Sequence, residues 1–91
     1  MLAWSILIDG VNMFYVYTLR CSDGNLYTGC TEDLKDRFSR HQDGHVPATA
    51  GRRPVEIITY TALSDKHKAF EFEKYLKSGS GRAFVKRHFH E

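Results

Sequence analysis

Two short β-rich runs separated by a turn open the patterned part of the chain. Residues 14–20 have the sequence FYVYTLR and residues 26–28 have LYT, and the tripeptide SDG interrupts the alternation between them. Aromatic and β-branched residues on both sides of a glycine-containing turn are typical of a β-hairpin. We therefore predict two adjacent antiparallel strands in this region.

The length of the hairpin loop decides which side chains share a face of the sheet. A three-residue loop ending at Gly24 suits a type I turn followed by a residue of positive φ, whereas a two-residue Asp23-Gly24 turn is the alternative. The two differ by one residue of register, which moves side chains to the opposite face. We favour the three-residue loop, which places Tyr17 opposite Gly29 and puts Tyr17 and Tyr27 on one face.

The residues after the hairpin predict a helix followed by a loop. Thr31 is a suitable N-cap, the acidic residues after it suit the positive end of the helix dipole, and Gly44 lies just beyond the last turn. Residues 43–54 contain several glycines and prolines, and this composition predicts a loop.

The C-terminal half predicts one strand and two further helices. Apolar and β-branched residues over 55–62 indicate a buried third strand. Ser64 is the expected N-cap of a helix over residues 65–77, and Ser80 that of a last helix over residues 81–90. The order β-β-α-β-α-α predicts an α+β fold, a small α/β sandwich in which helices flank a three-stranded antiparallel sheet.

Residues 1–13 are expected to form an N-terminal extension to a domain that covers residues 14–91. The segment Leu2–Ile8 is apolar, but it is far shorter than the roughly 20 residues of a membrane span and lacks the features of a signal peptide. Three interpretations stay open: an extra edge strand, a contact between copies of the chain, or an upstream start without function. We expect a cytoplasmic protein without membrane association, and the oligomeric state stays open.

Composition contributes little to the choice between function classes. The 91 residues suffice for one domain, and the formal charge of +2 is only a weak indication of an anionic partner. The two cysteines, Cys21 and Cys30, are expected to be reduced thiols. Their spacing relative to His41 and His45 is unlike that of a zinc site.

One carboxylate of the second predicted helix lies on an unexpected face. At 100° per residue Ala69 and Leu76 belong to an apolar stripe, and Glu73 falls within it. A carboxylate there needs a cationic partner or a bound metal ion. Three interpretations follow: a salt bridge to Arg37 or Lys77, a glutamate at the rim of the stripe, and a metal site.

Four other polar residues occur at regular spacing. Tyr27 follows Tyr17 by ten residues, Arg37 follows Tyr27 by ten, and His41 lies four residues further on. Arg37 and His41 share one side of the first predicted helix. Taken singly, the two tyrosines are also typical of ordinary strand residues. Arg37 and His41 alone are typical of a solvated helix surface.

Together these residues resemble the GIY-YIG endonuclease family, most closely its small single-domain bacterial members, which are related to the N-terminal domain of the excision-repair nuclease. The tripeptides YVY at 15–17 and YTG at 27–29 stand for the two halves of the motif. Some positions depart from the pattern. Tyr15 replaces a glycine, Thr28 replaces an isoleucine, and Cys30 stands where some members carry a lysine.

The resemblance implies a metal-dependent endonuclease that hydrolyses phosphodiester bonds in DNA, with a role in DNA repair or recombination. Glu73 would hold one Mg²⁺ (or Mn²⁺), Arg37 would contact the scissile phosphate, and one tyrosine would act as general base. The implied catalytic residues are Tyr17, Tyr27, Arg37, His41 and Glu73, with Glu73 as the metal ligand.

Four basic residues near the C-terminus are candidates for phosphate contacts. They are Lys77, Arg82, Lys86 and Arg87. Because the chain has no room for a separate DNA-binding domain, we expect specificity to come from the surface, an oligomer or a protein partner. The competing hypotheses are a non-catalytic nucleic-acid-binding module on the same fold and an interaction module of a repair complex that docks through the N-terminal extension.

Overall fold

The computed structural model describes residues 12–89, and its elements are as follows. They are β1 (Phe14–Arg20), β2 (Leu26–Thr31), α1 (Leu34–Gln42), α2 (Pro47–Ala50), β3 (Glu56–Leu63), α3 (Lys66–Lys77) and α4 (Gly79–His88). The extra strand considered within residues 1–13 lies outside the described residues, apart from Asn12 and Met13. None of the helices within this range has the length and apolar character needed to cross a membrane.

The described strands form one antiparallel sheet in the order β2-β1-β3. The central strand β1 is buried along almost its whole length. This architecture confirms the predicted α+β fold, with helices flanking a three-stranded antiparallel sheet. The prediction that the third strand is buried was wrong, because β3 lies at an edge of the sheet and its side chains are only partly covered.

The hairpin has the three-residue loop. The Cys21 N–H donates to the Asn25 carbonyl over 2.9 Å, and Gly24 has a φ of +82°, which glycine adopts without strain. Tyr17 consequently pairs with Gly29, so the favoured register is confirmed.

Helices cover both faces of the sheet and produce two clusters of buried side chains. On one face, Tyr17 packs in a cluster that includes Leu34 of α1. On the other face, Val16 packs with Leu76 of α3 and Val85 of α4. Alternate residues of β1 therefore belong to different clusters, as the two-residue period of a strand requires.

Aspartates cap two helices at which hydroxyl residues were expected. Asp33 caps α1 and its carboxylate accepts a backbone hydrogen bond of 3.0 Å, whereas Thr31 is the last residue of β2. Asp65 rather than Ser64 caps α3, and it accepts two backbone hydrogen bonds of 2.8 and 3.1 Å. Both predicted caps were wrong by one or two residues, because a carboxylate next in sequence also interacts with the helix dipole.

One serine joins the last two helices. Ser78 is both the C-cap of α3 and the N-cap of α4, and its hydroxyl accepts a hydrogen bond of 3.2 Å from the Gly81 N–H. The predicted end of this helix at residue 77 is therefore confirmed, whereas the predicted cap at Ser80 was wrong. A Cβ at Gly81 would overlap the backbone of α3, so this glycine allows the close approach of the two helices and does not begin α4.

The predicted loop over residues 43–54 contains the short helix α2, which the sequence analysis missed. Pro47 begins this helix, where its fixed φ is favourable. The segment is fastened to the hairpin by Arg52, whose Nε donates to the Asp23 carboxylate over 2.8 Å. The Ser22 N–H also donates to the Arg52 carbonyl over 2.9 Å. These contacts hold α2 beside the sheet.

Candidate active site

The Tyr17 ring extends across the neighbouring strand β2. Its side chain is 1% exposed, and a Cβ at the opposing Gly29 would overlap the Tyr17 hydroxyl. No other residue type fits at position 29 without displacing this ring, because glycine alone lacks a Cβ. The glycine of the second tripeptide therefore has a local role, which is to leave space for the tyrosine of the first.

A chain of hydrogen bonds connects Tyr17 to two helices. The Tyr17 hydroxyl lies 2.8 Å from Nε2 of His41 in α1, and Nδ1 of His41 lies 2.7 Å from Oγ1 of Thr49 in α2. His41 and Thr49 have no exposed surface. One ring nitrogen donates and the other accepts, so both are satisfied by the protein itself. The sequence analysis missed Thr49, because its role depends on the placement of α2.

The His41 ring also contacts both tyrosines of the hairpin. Its centroid lies 5.6 Å from that of Tyr17 and 5.3 Å from that of Tyr27, with interplanar angles of 72° and 60°. Edge-to-face contacts of this kind are favourable for aromatic rings. His41 therefore fixes the position of the two tyrosines relative to each other.

Arg37 lies beside the tyrosine hydroxyls, one helical turn before His41. The Tyr17 hydroxyl and, to a lesser extent, Tyr27 raise the pKa of Arg37. Its Nε is buried and has no hydrogen-bond partner among the described residues, and within the same range no carboxylate forms an ion pair with it. The charge of Arg37 is thus available to an anionic ligand.

Burial keeps Tyr17 and His41 uncharged at neutral pH. Desolvation raises the pKa of Tyr17 to about 12, although the hydrogen bond with Arg37 acts in the opposite direction. Desolvation also lowers the pKa of His41, and the positive charge of Arg37 lowers it further. Both shifts favour the uncharged forms, so the pair is a neutral polar support near pH 7.

Glu73 approaches the same site from α3. Its Oε2 lies 3.2 Å from Nζ of Lys77, and its side chain is 23% exposed. The Lys77 ammonium in turn lies 5.6 Å from the centroid of the Tyr27 ring. Burial raises the pKa of the Cys30 thiol, and the negative charge of nearby Glu73 raises it further. Of the two expected salt-bridge partners, Lys77 is the one observed.

The structure brings the five predicted catalytic residues together, where β1 and β2 meet α1 and α3. They are Tyr17, Tyr27, Arg37, His41 and Glu73. Of the four predicted phosphate contacts, Lys77, Arg82 and Lys86 line an open cleft that also includes Tyr27, and Arg87 does not line it. The site therefore combines a neutral buried framework with partly exposed charged groups.

A comparison with protein families identifies the group to which this chain is related. The model described as the GIY-YIG catalytic domain matches residues 13–87. The chain belongs to the GIY-YIG family. This membership confirms the resemblance found in the sequence and places the chain in a family of nucleases.

Relatives of similar size share this GIY-YIG domain. A UPF0213 protein of Streptococcus agalactiae is 37% identical over 81 residues, which cover 85% of this chain and 92% of the relative. A UPF0213 protein of Pediococcus acidilactici is 37% identical over 78 residues, covering 82% and 80%. The solution NMR structure of a UPF0213 protein from Bacillus halodurans is 32% identical, covers 82% and 83%, and has a TM-score of 0.54.

Thr49→Val tests the importance of the buried hydrogen-bond chain. The substitution retains the shape of the side chain but removes the partner of a buried imidazole nitrogen. We expect the free energy of unfolding to fall by about 1–3 kcal/mol, measured by urea denaturation at pH 7.5. Thr49→Ser keeps the hydroxyl and should retain most of the stability. A loss of stability in Thr49→Ser but not in Thr49→Val would show that the methyl group, not the hydrogen bond, accounts for the effect.

The lowered pKa of His41 predicts a dependence of stability on pH. Below the pKa near 6.5 of an unfolded histidine, the unfolded chain binds a proton that buried His41 does not. Stability should therefore fall as the pH is lowered through this value, and it should be fully retained above it. NMR titration of the His41 ring measures the folded pKa directly. A midpoint at or above about 6.5 would contradict the prediction.

Proposed function

We propose that this GIY-YIG protein is a metal-dependent endonuclease that hydrolyses phosphodiester bonds in DNA and acts in DNA repair or recombination. The observation that carries the proposal is the convergence, beside an open cleft, of one carboxylate, two tyrosines and a guanidinium that has no carboxylate partner among the described residues. Hydrolysis of a phosphodiester requires an activated water molecule and positive charge at the phosphate. Each requirement has a candidate among these residues.

Glu73 fits the role of ligand to Mg²⁺ or Mn²⁺. Within residues 12–89 no three histidine, cysteine or acidic side chains form a metal-binding group, so the proposal uses Glu73 as the one protein ligand. Mg²⁺ commonly binds through one or two carboxylates and keeps several waters alongside phosphate oxygens. A bound ion would supply positive charge to the phosphate and the leaving oxygen.

Arg37 is proposed to bind a non-bridging oxygen of the scissile phosphate. Its guanidinium has no carboxylate partner among the described residues, so binding a phosphate would not break an existing ion pair. Hydrogen bonds between guanidinium and phosphate are charge-assisted and directional. Arg37 would therefore both orient the phosphate and offset the charge that develops during the reaction.

Tyr27 is proposed as the general base toward the attacking water. Tyr17 is unsuited to this role, because its pKa is raised to about 12 and its hydroxyl is bound to His41. Tyr27 is partly exposed and lines the open cleft, so water can reach it. Tyr17 and His41 then act as positioning residues that hold Tyr27 in place.

Glu73→Gln is the direct test of the nuclease proposal. The wild-type protein should cleave with Mg²⁺ or Mn²⁺ and not with EDTA, and the variant should be slower by roughly 10²–10³-fold, the usual effect of removing one electrostatic group. The substrates are single-stranded, duplex, flapped and branched DNA, together with RNA. Glu71→Gln on the exposed side of the same helix is the matched control and should cleave normally.

Two outcomes would contradict the nuclease proposal. Equal cleavage by the wild type and Glu73→Gln would point to a contaminating nuclease. A folded wild-type protein that binds DNA without cleaving any substrate would favour the non-catalytic binding module.

Lys77→Met tests whether Glu73 is available to a metal ion. The Lys77 ammonium neutralises Glu73, so a metal ion must compete with it. Removing a partly exposed pair of this kind is worth about 0.5–1 kcal/mol, and we expect Mn²⁺ to bind two- to fivefold more tightly. Electron paramagnetic resonance titration with Mn²⁺ alone measures this affinity. Lys74→Met is the control, and unchanged affinity in Lys77→Met would argue against Glu73 as ligand.

A further inference from the structure

An open cleft of about 610 Å³ adjoins the candidate site. One wall consists of residues 24–28, which include the end of the hairpin loop and the first half of β2. The opposite wall consists of the end of α3 and the middle of α4. Leu76 and Val85 contribute buried apolar side chains between these walls. The cleft therefore has an apolar floor.

The charges along this cleft have one sign. Its lining includes Lys77, Arg82 and Lys86 but no acidic residue. All three cations are exposed. In the described part of the chain, neither Arg82 nor Lys86 forms an ion pair with a carboxylate. Positive charge that is not neutralised within the protein is suited to a chain of phosphates.

Tyr27 and Lys77 connect the cleft with the catalytic residues. Both line the cleft, and the Lys77 ammonium lies 3.2 Å from the Glu73 carboxylate. A ligand that fills the cleft therefore lies next to the cation that pairs with the carboxylate proposed to hold the metal ion. Tyr27 and Lys77 belong to both the cleft and the site.

We propose that this cleft binds a single strand of DNA and directs it to the site, an inference that rests on the proposed nuclease function. A single strand exposes both its phosphates and the apolar faces of its bases. Grooves that bind single strands accordingly combine positive charge with apolar or aromatic surfaces. In a duplex the faces of the nucleobases are stacked inside. A duplex would therefore contact the cationic rim of the cleft but not its apolar floor.

Occupation of the cleft by a single strand implies a substrate class for the proposed nuclease. In DNA with a single-stranded arm next to the cut, such as an overhang or a flap, the arm can bind the cleft while the bond to be cut lies at the site. Arg82 and Lys86 would hold the arm through its phosphates, at a distance from the reacting bond. They would contribute to substrate affinity and selection without taking part in the chemical step.

The test is fluorescence anisotropy with labelled DNA in EDTA, where no metal-dependent cleavage occurs. The probes are a strand of about 12 nucleotides, within the usual site sizes for single-stranded DNA, the matching duplex, and RNA of the same sequence. We expect the wild-type protein to bind the DNA strand more tightly than the duplex. The double variant Arg82→Gln/Lys86→Gln should bind the strand roughly tenfold more weakly. The slope of the logarithm of its binding constant against the logarithm of the salt concentration should fall in magnitude by about 1.4, which is about 0.7 for each lost phosphate contact.

The matched control is Lys68→Gln/Lys74→Gln, which removes the same charge from exposed positions of α3 outside the cleft. It should bind the strand within about twofold of the wild type. Circular dichroism checks that both double variants are folded, which we expect because all four side chains are exposed. Equal losses in the two variants would overturn the inference, because net charge alone would then explain binding. Tighter binding of the duplex, or no binding of any probe, would also overturn it.

Failure of the nuclease proposal would give a different result. If the wild-type protein and Glu73→Gln both fail to cleave but the Arg82→Gln/Lys86→Gln variant still loses binding, the cleft inference stands and the nuclease proposal falls. If the wild-type protein shows metal-dependent cleavage but the cleft variant binds DNA as the wild type does, the nuclease proposal stands and the cleft inference falls. RNA bound more tightly than the DNA strand would reject DNA as the occupant of the cleft.

Discussion

The buried hydrogen-bond chain from Tyr17 through His41 to Thr49 connects three segments that are separate in sequence. It joins the central strand β1, the helix α1 and the short helix α2. Each of its polar groups is shielded from water, so the loss of one partner leaves another unsatisfied, at a cost comparable to a lost hydrogen bond. The site therefore depends on the correct placement of α2, a segment whose composition alone indicates an irregular loop.

This chain divides the site into a supporting part and a part that is accessible to ligands. The supporting part is neutral and buried, and the space that Gly29 leaves for the Tyr17 ring is essential to it. The accessible part contains Tyr27, Arg37 and Glu73, which are all partly exposed. Rigid support beneath exposed charged groups reduces the reorganisation needed when a charged substrate binds.

The features predicted correctly from the sequence are those that local chemistry decides. Gly24 favours the three-residue loop, and the loop sets the register that brings Tyr17 and Tyr27 to one face. The burial of His41 and the role of Thr49 were not predictable in this way, because both depend on contacts between distant segments. The N-caps were misplaced for a simpler reason, since Asp33 lies two residues after Thr31 and Asp65 one residue after Ser64, and both aspartates compete with these hydroxyl residues for the cap position. The position of Glu73 within an apolar stripe left an ion pair, a place at the rim of the stripe and a metal site as alternatives, and the structure shows an ion pair with Lys77.

The single serine between α3 and α4 has a mechanical consequence. Ser78 ends one helix and begins the next, and Gly81 lets the α4 backbone approach that of α3. With so short a linker and such close contact, the two helices have little freedom to rotate relative to each other. The carboxylate on α3 and the cations on α4 thus belong to one rigid unit. Glu73 and the cations of α4 therefore keep their relative positions, because only Ser78 separates the two helices.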